Sequence, residues 1–216
     1  MFTRNAWLPA TLAAVIVATS GVATAMAAGP RPAARVSIDP AQLRQDMRKL
    51  WSDHVIWTRE YIVAALDGSP GAKAVAARLL ANQEDIGHAI AGFYGQAAGN
   101  ALTGLLKQHI LIAVDVVAAA KSGNQAGYAA ADQKWKRNAD EIAAFLSSAN
   151  PNWPKAAVSD MMSMHLATTT QEVVARLNGK WDDDVKAFDE VYTHILRMAD
   201  TLTDGIVKQF GSASGQ

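Results

Sequence analysis

The run Asp39-Pro40-Ala41-Gln42-Leu43-Arg44-Gln45-Asp46-Met47-Arg48-Lys49-Leu50-Trp51-Ser52-Asp53-His54-Val55-Ile56-Trp57-Thr58-Arg59-Glu60-Tyr61-Ile62-Val63-Ala64-Ala65-Leu66-Asp67-Gly68 decides the fold class. It opens with an N-cap residue followed by proline at the first helical position, and it closes on glycine. Between them Leu43, Met47, Leu50, Trp51, Val55, Thr58 and Ile62 recur at helical spacing. One long amphipathic helix over about 40–67 is the reading.

The centre of this run returns twice. Leu50-Trp51-Ser52-Asp53-His54, Leu105-Leu106-Lys107-Gln108-His109 and Met161-Met162-Ser163-Met164-His165 each carry two large apolar residues, two mainly polar ones and a histidine. The three histidines lie 55 and 56 residues apart, and each is followed fourteen residues later by a glycine, at Gly68, Gly123 and Gly179. Such periodicity reads as an internal repeat of one supersecondary unit. The intervening segments correspond as well, since Asn82-x-Glu84-Asp85-Ile86 aligns with Asn138-x-Asp140-Glu141-Ile142, and more weakly with His194-x-Leu196-Arg197-Met198.

Further helices are expected over about 69–94, with a break at Asn82, and over about 100–122, 126–148, 155–178 and 181–210. Asn150-Pro151-Asn152-Trp153-Pro154 interrupts the chain hard. No stretch alternates with a two-residue period, so strands are not expected. The predicted fold is an all-α bundle of about six helices, arranged as three pseudo-repeated helical hairpins in one domain over 39–211. A left-handed glycine past each helix end accounts for Gly68, Gly123 and Gly179, and N-capping is the expected role of Asn82 and Asn138.

Met1 to about Ala27 has one basic residue, Arg4, then the apolar, alanine-rich run Trp7–Ala25, then the small-residue sequence Ala25-Met26-Ala27. This pattern predicts a secretory signal peptide over 1–27, with a retained anchor as the alternative. Residues 28–38 read as a flexible lead-in and 212–216 as a disordered tail. The chain has no cysteine, which excludes disulfides and thiolate chemistry. Without Arg4, nineteen basic side chains (20 − 1) face twenty acidic ones. No net field draws the chain to nucleic acid or to anionic lipid. The expectation is an extracytoplasmic protein, periplasmic or secreted, that binds no nucleic acid, does not stay inserted in a membrane after signal cleavage, and is free to meet a protein partner or a second copy of itself.

Imidazole in mid-helix is what capping and propensity leave unexplained. Each of the three histidines lies on the apolar stripe of its helix, flanked by Leu50, Trp51 and Ile62, by Leu105, Leu106 and Val117, or by Met161, Met162 and Val173. An inward imidazole needs a hydrogen-bond partner or a metal. Either the three converge, with His194 as a further ligand, on a transition-metal ion such as zinc, copper or iron, or each bonds within its own hairpin, for instance to the Asn and acidic group of the second helix. Asp85 and Asp140 are further metal-ligand candidates. A closed bundle brings the rings together, whereas a solenoid strings them out. Non-covalent haem is a further expectation, since Trp51, Trp57, Phe93, Tyr94 and Trp135 supply aromatic lining.

Arg59, Trp57 and Asp85 are candidate cofactor-binding residues. Arg59 reads either as an anion clamp or as the partner of a carboxylate such as Glu60 or Asp85. Met161, Met162 and Met164 beside His165 suggest copper(I), but Met161 and Met162 occupy places filled by leucine or tryptophan in the other copies. Only Met164 is left without a packing explanation. Asp85-x-x-His88 has the spacing of half a di-iron site and lacks its second half. No phosphate-binding glycine loop, nucleophile elbow or His-Glu-x-x-His is present, so no catalytic residue is assigned and a binding protein is favoured over an enzyme.

The segments Leu50–Arg59, Asn82-Gln83-Glu84-Asp85-Ile86-Gly87, Phe93-Tyr94-Gly95, Asn138–Ile142 and Met198-Ala199-Asp200 resemble a group of small exported bacterial all-helical proteins with a Leu-Trp-x-x-His-Val-x-Trp-Thr-Arg segment. Members of that group often bear names such as glycosyltransferase or acetylglutamate kinase. The resemblance implies export and a helical fold. It supplies no catalytic residues, because this chain carries no nucleotide-binding element that either name would require.

Overall fold

The computed structural model describes residues 38–211, which form six α-helices. They are α1 (Pro40–Asp67), α2 (Ala72–Tyr94), α3 (Gln96–Lys121), α4 (Gln125–Ala149), α5 (Lys155–Leu177) and α6 (Trp181–Phe210). The proposed signal peptide, nearly all of the lead-in and the tail lie outside the described residues; Ile38, at the end of that lead-in, packs on the core.

Each helix packs on its sequence neighbours and α6 returns to α1, which closes the ring; α1 also touches α3 and α5. Short connections make successive helices antiparallel, so α1, α3 and α5 run the same way. Their C-terminal ends meet. Lys121 donates to the Ala65 carbonyl at 2.7 Å, and Arg176 donates to Asp67 at 2.8 Å.

Local chemistry explains most boundaries. Asp39 accepts from the backbone N–H groups of Ala41 and Gln42, ahead of Pro40 in the first turn. Gly68, Gly123 and Gly179 adopt φ of 74°, 68° and 66°. At each one the following N–H reaches back to the carbonyl five residues earlier, on Ala64, Ala119 or Ala175, and so satisfies the carbonyls left open at the helix end.

Two expectations fail here. α2 runs unbroken through Asn82, and α3 begins at Gln96 with only Gly95 between the two helices. Asn82 and Asn138 are both buried in mid-helix, and their amides are spent on the preceding helix rather than on caps. The early start of α3 follows from close approach of the backbones. A Cβ on Gly99 would stand 2.6 Å from the Gly87 carbonyl oxygen and 2.6 Å from the Ala91 Cβ.

The core is layered by equivalent positions on α1, α3 and α5. Met47, Leu102 and Val158 are buried together one level below Trp51, Leu106 and Met162, and Val55, Ile110 and Leu166 follow just above the histidines. Ile62, Val117 and Val173 close the far end as a separate apolar cluster. α3 is long and apolar enough to cross a membrane, yet Leu102, Leu106, Ile110, Ile112, Val116 and Val117 on it are spent on this core. Gly99→Ala is expected to destabilise the bundle by about 1–3 kcal/mol by wedging α2 from α3. Denaturant unfolding measures this, and an unchanged midpoint would rule out the crossing as a constraint.

Candidate functional site

His54, His109 and His165 come from three parallel helices and meet at one height in the bundle. Their relative exposures are only 3, 3 and 4%. The ring centre of His165 stands 5.6 Å from that of His54 and 6.2 Å from that of His109. His194, on α6, also stacks on His165, at 6.4 Å.

One bonding pattern holds these rings. The carbonyl four residues before each histidine receives a side-chain donor from the following helix: Asn82 donates to Leu50 at 3.0 Å, Asn138 to Leu105 at 3.2 Å, and His194 Nε2 faces Met161 at 2.9 Å. The residue 29 positions after each histidine meets the imidazole itself. Gln83 Nε2 lies 3.3 Å from His54 Nδ1, Asn138 Oδ1 lies 2.8 Å from His109 Nδ1, and His194 stacks on His165. In the first hairpin two adjacent residues divide the tasks. In the second, Asn138 performs both.

The chemistry of His109 is settled by its partners. The Trp135 indole N–H can only donate, and it donates to His109 Nε2 at 3.0 Å, so the proton sits on Nδ1 and is given to Asn138. His54 is held less firmly, because the Gln83 amide donates at shorter range to the Leu79 carbonyl and to Asn82. His165 Nδ1 is buried and has no hydrogen-bond partner. A stacked imidazole stands where the other two hairpins place an amide.

Burial pushes His54 down to about 3, with the neighbouring His109 adding to the effect, and burial pushes His109 down to about 4. His165 is driven well below the ordinary range by burial and then by the other three imidazoles. All three are neutral near pH 7. Three neutral imidazoles are the right ligand type for zinc, copper or iron. Metal–nitrogen bonds of about 2.0–2.1 Å would bring three ring centres to about 5 Å, closer than the rings stand here. Among the described residues no group of three His, Asp or Glu side chains is arranged as a metal site.

An apolar cavity of about 40 Å³ adjoins the imidazole layer, between it and the Ile62, Val117 and Val173 cluster, with Thr58, Trp135 and Thr169 also in its wall. It is far smaller than a porphyrin.

The remaining predicted residues separate. Arg59 does pair with carboxylates, but these are Glu172, at 2.9 Å, and Asp184, which it grips with both nitrogens, rather than Glu60 or Asp85. Arg176 ties Asp184 onward to Asp67. Trp57 and Asp85 instead meet Arg78, the former under its guanidinium at 5.4 Å and the latter at 3.7 Å. Asp85 is half exposed on the outside of the bundle, and no cofactor site unites it with Arg59. The acidic partners expected for the histidines are likewise absent, since the amides of Gln83 and Asn138 fill that place.

Glu172 and Asp184 were not legible as site residues, because Asp184 in the run Asp182-Asp183-Asp184 reads as an ordinary acidic first turn. Burial pushes Glu172 up to about 7 against the pull of Arg59. For Asp184 burial works the same way, but Arg59 and Arg176 prevail and hold it below the usual carboxylate range. No family model, no curated protein and no solved structure matches this chain.

Two predictions follow from these charges. Between about pH 4.5 and 6.5 the unfolded chain binds the protons of three histidines that the native state excludes, while native Glu172 holds one that the unfolded chain has released, a net of two (3 − 1). Stability of the metal-free protein therefore falls with acidification below pH 6.5, by on the order of 1–3 kcal/mol per pH unit. Urea midpoints measured from pH 8 to 4.5 check this, and a flat profile contradicts it. Arg59→Met should cost about 3–5 kcal/mol by stranding two buried carboxyls. The loss should be larger at pH 8 than at pH 6, where Glu172 carries its own proton.

Proposed function

We propose that this chain is an exported helical-bundle binding protein that takes up one transition-metal ion between His54, His109 and His165. The observation that carries the reading is the buried Nδ1 of His165, left without a hydrogen bond beside the rings of His54 and His109. A buried polar atom without a partner costs about 1–3 kcal/mol, so the unpartnered Nδ1 of His165 favours a ligand that completes it. Metal-bound histidines characteristically donate their second ring nitrogen to a carbonyl or carboxylate, and His109 already does so to Asn138. Uptake requires the rings to close by about 1 Å and Trp135 to release His109 Nε2. His194 falls outside this ligand set because it stands beyond His165.

We read the three hairpins as one unit used three times, which explains why donors from three different helices arrive at one height. The signal-like pattern over 1–27 supports export, and the cysteine-free composition is compatible with it. Haem fits less well, since the adjoining cavity has no room for a macrocycle. A cofactor-free scaffold is the second reading. It is favoured by His109, both of whose ring nitrogens are satisfied by the protein.

Untagged protein loaded with zinc or cobalt(II) should retain about one ion per chain and melt at higher temperature, by the linkage between binding and stability. The triple variant His54→Ala, His109→Ala, His165→Ala should retain none, and His165→Asn serves the same purpose if the triple variant does not fold. Equal metal content in wild type and a folded variant sinks the metal reading in favour of the scaffold.

A further inference from the structure

The sequence left one methionine without a packing role, and it lies in a surface groove. Met164 is 53% exposed on α5. With Met161, three residues earlier on the same face, and His194 from α6, it lines an open groove of about 660 Å³ along the outer seam of these two helices. His194 is the only one of the four clustered histidines that lines this groove.

The bond that orients His194 also decides its chemistry. The Met161 carbonyl can only accept, so the ring nitrogen facing it at 2.9 Å, Nε2, must carry the proton. In the neutral ring Nδ1 then holds a free lone pair. A carbonyl fixing one imidazole nitrogen while the other remains open is the arrangement that metal-binding histidines use. Thioether and imidazole together form a soft, uncharged donor set, which favours copper(I) over zinc, magnesium or calcium. The groove's other charged residues are three carboxylates and two cationic side chains, so selection rests on donor softness more than on net charge.

We propose that this groove binds a single copper(I) ion through the sulfurs of Met161 and Met164 and through His194 Nδ1. The site is distinct from the buried imidazole layer and does not depend on it. No electron transfer is involved, because the ion is bound as copper(I) and stays so.

The test is anaerobic competition for copper(I) between the full chain and the chromophoric chelator bicinchoninate, with silver(I) as a redox-inert second probe. Wild type should withdraw one copper(I) per chain. The double variant Met161→Leu, Met164→Leu keeps the side-chain volume and should bind at least tenfold more weakly. So should His194→Gln, whose amide can still donate to the Met161 carbonyl. Circular dichroism establishes that each variant is folded, and the single variant Met164→Leu, at an exposed position, is available if the double variant is not. His54→Asn, which alters the buried layer at a ring that does not stack on His194, should leave copper(I) affinity in the groove unchanged. Undiminished binding in the folded methionine variants, or no binding in wild type, overturns the proposal. Loss of binding in His54→Asn with retention in the methionine variants would move the site to the buried layer and also overturn it.

Discussion

Everything in this bundle is arranged around the cost of burying polar atoms at its centre. Three imidazoles sit in an otherwise apolar column, and each is tolerable there only while neutral. The side chains that bond to His54 and His109 come from the neighbouring helix of the same hairpin, and residues from that same region donate to the carbonyl one turn below each of the three histidines. Each hairpin is thereby locked in register by polar contacts, and apolar layers stacked above and below supply the burial energy. A register slip of one turn would strand both an imidazole and an amide.

The third hairpin departs from this arrangement in an informative way. In the second, one asparagine serves both the carbonyl and the ring, whereas in the third a histidine serves the carbonyl and only stacks on the ring. The substitution leaves His165 Nδ1 unsatisfied inside the bundle and carries an imidazole outward to the α5–α6 groove. The ring of His165 therefore touches the other three, and through His194 the contact reaches the surface. A second buried polar group, the ion cluster of Arg59, Glu172, Asp184 and Arg176, ties α1 to α5 and α6 nearer the C-terminal ends of the parallel helices. It opposes the imidazoles in its response to pH, since burial raises the affinity of Glu172 for a proton and lowers that of the histidines.

Much of the fold was legible because helical periodicity and capping are local properties. Asp39-Pro40 and the three left-handed glycines bound their helices where short-range rules put them, and the common position of His54, His109 and His165 on their apolar stripes marked them as inward. Asn82 was misread for the same reason. A local rule makes asparagine followed by acidic residues a cap, and only a neighbouring helix with an unspent carbonyl turns it into a buried donor. Arg59 was legible as the partner of a carboxylate, but its actual partners lie more than a hundred residues away, beyond any local signal.

The amino-acid sequence by itself determined six helices, their approximate ends, the absence of thiol chemistry and the inward face of three imidazoles, all of which follow from contacts within a few residues. The tertiary structure alone decided that the ring of helices closes, with α6 returning to α1, and that closure brings the rings of His54 and His109 within about 6 Å of that of His165. It also decided which of them are already satisfied: Trp135 and Asn138 occupy both nitrogens of His109, while the buried Nδ1 of His165 has no partner. That division depends on the distance and direction of side chains carried by separate helices, and helix–helix packing rather than residue order sets both.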